Sequence, residues 1–212
     1  MFKSKAAIAV LLPLVLAGCS RDGEITGTGI TVTRSACPAI AIPAATGDIT
    51  LFNPENSRAA AAIDVVANIT NLRGTCNEAG EQIVSNVTFD VQAQRRNTQG
   101  ARDVTVPYFA TVVQGGTNVV SKSVGQVTLR FADGQPRASA SASAAGQIAR
   151  SAVTLPDEIR RQITRERKPG DPDAAIDPLA DPTVRDAVRA VSFEVLVGFQ
   201  LTQEQLAYNA TR

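Results

Sequence analysis

Apolar residues fall at every second position in run after run of this chain, and that period constrains the fold more than any other feature. Ile63, Val65, Ala67 and Ile69 share one face, with Asp64, Asn68 and Thr70 on the other. Val87, Phe89 and Val91 alternate with Thr88, Asp90 and Gln92, and Val104, Val106, Tyr108, Ala110 and Val112 repeat the pattern. Val119–Phe131 holds one more run, clearest at Val127, Leu129 and Phe131. Ile49 and Leu51 mark a short strand, and Val191, Phe193, Val195, Val197, Phe199 and Leu201 the last and longest. Successive strand side chains point to opposite faces, so each run offers one apolar face to a core.

Turn-forming residues separate the runs: Asn53-Pro54-Glu55-Asn56, Asn71 to Gly80, the polar Gln94 to Arg102, Gly115-Gly116 and Asp133-Gly134. Short strands at this spacing predict a mostly β fold. The expected form is one antiparallel β-sandwich over residues 37–212, immunoglobulin- or fibronectin-like in broad form, with one or two short helices near the C-terminus. Pro107 has no N–H to donate to a ladder, so it marks an edge strand or a bulge. In Arg137 to Ala149, alanine and serine alternate strictly, which predicts a strand with a methyl face and a hydroxyl face. Asp157 to Arg167 follows Pro156 and carries Ile159 and Ile163 at helical spacing; its Arg160, Arg161, Arg165 and Arg167, with Lys168, read as a solvated basic face. Thr202 and Gln205 have capping-box spacing and Leu201 and Leu206 staple spacing, so a short helix at Gln203–Asn209 follows the last strand, with Tyr208 covering one open end of the sandwich.

Composition removes much chemistry. The 212 residues include no His and no Trp, which excludes a Ser-His-Asp triad, a Cys-His dyad and His-ligated zinc. The formal net charge of +1 gives no field for nucleic acid. No phosphate-binding glycine loop or nucleophile-elbow motif occurs, and sugar-cleaving clefts usually carry aromatic platforms, so an enzyme is not expected; a carboxylate-only hydrolase is the residual case. Asp171, Asp173, Asp177 and Asp181 lie close together in Gly170 to Thr183 and are weak candidates for a calcium site. Three of them precede prolines, and Asp-Pro is an ordinary turn starter, so a solvated loop is the plainer reading and no metal is assigned.

The N-terminus is the most informative stretch for location. Lys3 and Lys5 precede the 12-residue apolar run Ala6–Ala17, broken only by Pro13. About 20 apolar residues are needed to span a bilayer as a helix, so this run has the length of a secretory signal instead. It ends in Leu16-Ala17-Gly18-Cys19, which resembles the lipobox of bacterial lipoproteins. The resemblance covers only about the first twenty residues. It implies that residues 1–18 are a signal peptide, that cleavage follows Gly18, and that Cys19 becomes the lipidated first residue, palmitate included. Ser20 after the cysteine implies export to the outer membrane, facing the periplasm. Residues 19–36, with Gly23, Gly27 and Gly29 among Thr, are expected to be a flexible tether, Ile25, Ile30 and Val32 offering an edge strand as the alternative.

Two cysteines remain, and in an exported chain Cys37 and Cys76 are expected to form one disulfide. The expected function is that of a membrane-anchored envelope lipoprotein with a structural or accessory role, binding another envelope protein. The alternative is an envelope module for a small ligand, a glycan or Ca²⁺. No cofactor is expected beyond the covalent lipid.

Overall fold

The computed structural model describes residues 24–26, 29–31, 35–165, 167, 168 and 170–211. The lipobox and Cys19 lie outside them. The chain divides into two compact units, residues 1–34 and 35–212. In the first, β1 (Glu24–Thr26) and β2 (Gly29–Thr31) pair antiparallel with Ile25 opposite Ile30. The stretch expected as tether therefore contains a short two-stranded sheet.

The second unit is the expected sandwich. Its strands are β3 (Ala39–Ala41), β4 (Asp48–Phe52), β5 (Ile63–Asn77), β6 (Gln82–Arg95), β7 (Arg102–Gln114), β8 (Asn118–Phe131), β9 (Arg137–Ala149) and β10 (Phe193–Phe199). One sheet has the order β3-β10-β7-β8, the other β4-β5-β6-β9. The pairs are antiparallel except β3–β10, which is parallel. The sandwich form is as expected, but the consecutive strands β4, β5 and β6 lie side by side, unlike the ABED order of immunoglobulin domains.

The alternating apolar faces meet in one aliphatic core with Phe89, Phe131 and Phe199 fully buried in it. Ile49, Val65 and Ala67 come from the β4–β5 pair; Val106, Val127, Val195 and Val197 come from the opposing sheet. The Ala/Ser run is a strand with the expected limits: Ala138, Ala140, Ala142 and Ala144 pack on the core and the serines face outward. Where β8 and β9 meet, Tyr108 closes the gap. Its hydroxyl donates to the Ser143 carbonyl at 2.9 Å, its ring lies edge-on to Phe89 at 5.1 Å, and Gly125 leaves the space it fills.

Four sequence expectations change. β5 continues to Asn77, through residues expected as a turn. Asn71 adopts φ 53°, a left-handed conformation that asparagine tolerates. That makes a bulge, after which Arg73 pairs with Thr88 and the ladder resumes. Pro107 lies in β7, a strand with neighbours on both sides. It sits just beyond the last β7–β10 pair, Tyr108 with Phe199, and its carbonyl accepts from Gln200 N–H at 2.9 Å. The donor that proline lacks falls where the ladder ends, so no bulge is needed. β10 spans Phe193–Phe199 only and is not the longest strand; Val191 and Leu201 flank it. Among the described residues there are three α-helices, one more than the two expected. α1 (Asp157–Thr164) and α3 (Gln203–Thr211) are the expected ones, and α2 (Pro182–Ala190) is additional. Asp181 caps α2 by accepting from Thr183 N–H at 2.8 Å, with Pro182 at the first helical position.

The capping box of α3 forms as written in the sequence. Gln205 N–H donates to Thr202 Oγ1 at 3.2 Å, and Thr202 N–H donates to Gln205 Oε1 at 2.9 Å. Tyr208 stacks edge-on against Phe52 at 5.2 Å, and Asn209 Nδ2 donates to the Ala45 and Asp48 carbonyls. These contacts hold α3 over β4. No helix among the described residues is long and apolar enough to cross a membrane.

Candidate functional site

Cys37 and Cys76 form the expected disulfide, with S–S 1.99 Å and Cα–Cα 5.9 Å. It ties the segment entering β3 to the end of β5. Closing a loop over 39 residues is worth about 4 kcal/mol in the chain-entropy model. Glu78 stands beside it and accepts from the Ser35 hydroxyl. Among the described residues, Cys37, Cys76 and Glu78 are the one group of three Cys, His or carboxylate ligands within 4.8 Å of one another, and both sulfurs are committed to each other.

The four aspartates do not gather. Asp171 accepts from Lys168 N–H at 2.9 Å. Asp173 pairs with Arg165 and Arg167. Asp177 accepts from Leu179 N–H at 2.9 Å, and Asp181 caps α2. Asp171, Asp177 and Asp181, each followed by proline, work as turn or cap residues, as Asp-Pro sequences usually do, and Asp173 is held in its ion pairs. The basic face of α1 is similarly engaged: Arg160 pairs with Asp157, Arg161 with Glu158, and Arg165 and Arg167 with Asp173. These ion pairs are exposed or half-buried and contribute little to stability; their three carboxylates offset part of the charge of the five bases, Lys168 included.

Two carboxyls depart clearly from ordinary values, and both go down. Hydrogen bonds from Ser141 and Asn71 lower Asp90; burial opposes them, and the Arg73 charge adds a smaller lowering. Burial raises Asp173, but the hydrogen bond and charge of Arg165, helped by Arg167, outweigh it. Two depressed carboxylates on separate elements do not make the raised-and-lowered pair that acid–base hydrolysis uses.

Two surfaces stand out. The first is the edge of β8. This strand is at the margin of its sheet, so its outer backbone edge pairs with no strand among the described residues. Val119, Val120 and Val124 are 59%, 49% and 60% exposed. Val124 lies opposite Phe109, whose ring carries the Lys122 ammonium 5.2 Å from its centroid. Unpaired edges with apolar side chains are templates for another strand. The second is an open groove of about 500 Å³ on the outer face of β5, β6 and β9, lined by Val66, Asn68, Gln92, Gln94, Arg137 and Ser139 among others. The sequence marked the even-numbered residues of β6 only as the polar side of a strand. That signal could not show that the carboxamides of β5 and β6 align with Arg137 and Ser139 of β9.

Comparison with protein-family models, with curated proteins and with solved structures finds no match for this chain.

Proposed function

We propose that the mature chain is a bacterial envelope lipoprotein, anchored through lipid on Cys19, with a structural or accessory role in binding another envelope protein. The anchor reading rests on Lys3, Lys5, the apolar run and the Leu16-Ala17-Gly18-Cys19 lipobox. Two or more acyl chains hold a protein stably on a membrane. Ser20 supports the outer membrane, periplasm-facing, as its address.

The observation that carries the binding role is the β8 edge with its three exposed valines. Its chemistry suits an extended segment of a partner, which gains main-chain hydrogen bonds from the edge and seats apolar side chains on Val119, Val120 and Val124. Lys122, beside that strip, favours a partner segment carrying an acidic residue.

The test has two parts. Labelled palmitate should enter the wild-type chain and not Cys19→Ser, which should also leave the membrane fraction. A Val120→Lys/Val124→Lys double variant should remain folded and anchored but lose its crosslinked partner. Palmitate incorporation into Cys19→Ser contradicts the anchor. An unchanged crosslinking pattern in the double variant contradicts the edge.

A further inference from the structure

We propose that the groove over β5, β6 and β9 binds an acidic saccharide, a ligand carrying both hydroxyls and a carboxylate. The inference stands apart from the β8 edge, which belongs to the other sheet. Strand register builds the site. Asn68 lies opposite Gln92, and Gln92 opposite Ser139; one step along, Val66 lies opposite Gln94, and Gln94 opposite Arg137. Strands about 4.8 Å apart, with same-face residues about 6.8 Å apart along each, set these groups on a rigid lattice.

Their bonding state is the telling feature. In the described structure Asn68, Gln92, Gln94, Arg137 and Ser139 make no side-chain hydrogen bond or ion pair. On the same face, the row next to Gln92 and Ser139 is satisfied internally. There Asp90 accepts from Ser141 at 2.7 Å and from Asn71 at 2.8 Å, and Arg73 Nε donates to Asn71 Oδ1 at 2.8 Å. The groove therefore presents three carboxamides, a hydroxyl and a guanidinium to solvent, engaged by no other protein group among the described residues.

A carboxamide donates and accepts at once, and so does each hydroxyl of a sugar. Arg137 offers the planar fork that a carboxylate fits. A peptide strand is less well matched. The backbone of β6 at the groove floor is already laddered to β5 and β9, and a peptide needs a free edge or alternating apolar pockets. Val66 is the apolar floor and no aromatic ring lines the groove, so hydrogen bonds carry the binding.

The experiment is an amide-shift titration of the full mature lipoprotein in detergent micelles. The probes are digalacturonic acid, a neutral disaccharide of the same linkage, and an acidic tetrapeptide. The acid should shift amides around residues 66–68, 92–94 and 137–139, with affinity about tenfold above the neutral sugar. Arg137→Gln should bring the acid down to the neutral sugar's affinity and leave the latter unchanged. Gln92→Leu should abolish both. Both substituted positions are on the solvent side of the sheet, and the unliganded spectra report whether each variant is folded. No shift at these amides with about 10 mM acid overturns the proposal. Equal binding of acid and neutral sugar, or tighter binding of the tetrapeptide, overturns the ligand class.

Discussion

Arg95 is the residue whose role the sequence hid most completely. It stands in the buried-facing register of β6 and is only 2% exposed, with no carboxylate partner. Instead its guanidinium donates to the carbonyls of Thr98, Gly100, Ala132 and Gln135 at 2.8–2.9 Å. It also lies over the Phe131 ring at 5.2 Å. One side chain thus pins the β6–β7 and β8–β9 turns together at one end of the sandwich. Removing it takes a charged donor from all four carbonyls, although Thr98 and Ala132 keep the backbone N–H groups of Gly134 and Gln135, and hydrogen bonds from a charged group are the costlier ones to lose. We expect Arg95→Met to destabilise the fold by about 3–5 kcal/mol, read as a lower urea midpoint with an unchanged slope. Asp90 supplies a pH signature. Its folded pKa lies below its unfolded value, so its contribution is present in full above the unfolded value of about 3.9 and is lost as pH falls through the folded value. The stability gap between wild type and Asp90→Asn should therefore hold at neutral pH and close only in acid. A gap that widens below about pH 4 would contradict the assignment.

At the scale of elements, β9 shows what a strict period can and cannot say. The alternation of Ala138, Ala140, Ala142 and Ala144 with serine favours a strand over a low-complexity loop, because the period of two is strict over so many residues, and the strand forms with its alanines inward. It did not reveal why Gly146 continues the inward series. A Cβ there would lie 2.9 Å from a Val112 methyl and 3.0 Å from a Val195 methyl, both in the opposing sheet. Valine is stiff at χ1 and cannot easily yield. Gly146→Ala should therefore cost about 1–2 kcal/mol, despite alanine's better backbone entropy. A melting temperature equal to or above wild type would show that the sheets can part there. Local capping rules were equally legible: Thr202 and Gln205 form their reciprocal bonds because the N-cap and the third helical residue face each other across the first turn. Asp181-Pro182 is an N-cap followed by proline at the first helical position, but a run of four aspartates, three of them before proline, has the composition of a loop, and that masks α2. β5 was cut short for a similar reason, since Asn71, Gly74 and Asn77 are turn residues that here serve a bulge and a tight contact with Ile40.

For the whole molecule, the core was written in the alternation and the sheet order was not. Which faces are apolar follows from each strand's own residues, whereas pairing partners depend on contacts far apart in sequence. β10 joins them: it lies between β3 and β7 and buries Phe193, Val195, Val197 and Phe199. A chain ending at Ala190 should show no cooperative thermal transition, because half of one sheet loses its centre. Neither candidate surface was readable beforehand. The β8 edge needs the strand order to be recognised as an edge, and the groove needs the register of three strands. The measurement that tests the central claim most directly places a photo-crosslinking residue at Val124 in one strain and at Gln92 in another, in the full lipoprotein, and irradiates intact envelopes. A single discrete protein adduct from position 124, and none from 92, is the predicted result. Adducts absent from 124, or the same from both positions, would contradict a partner bound at the β8 edge.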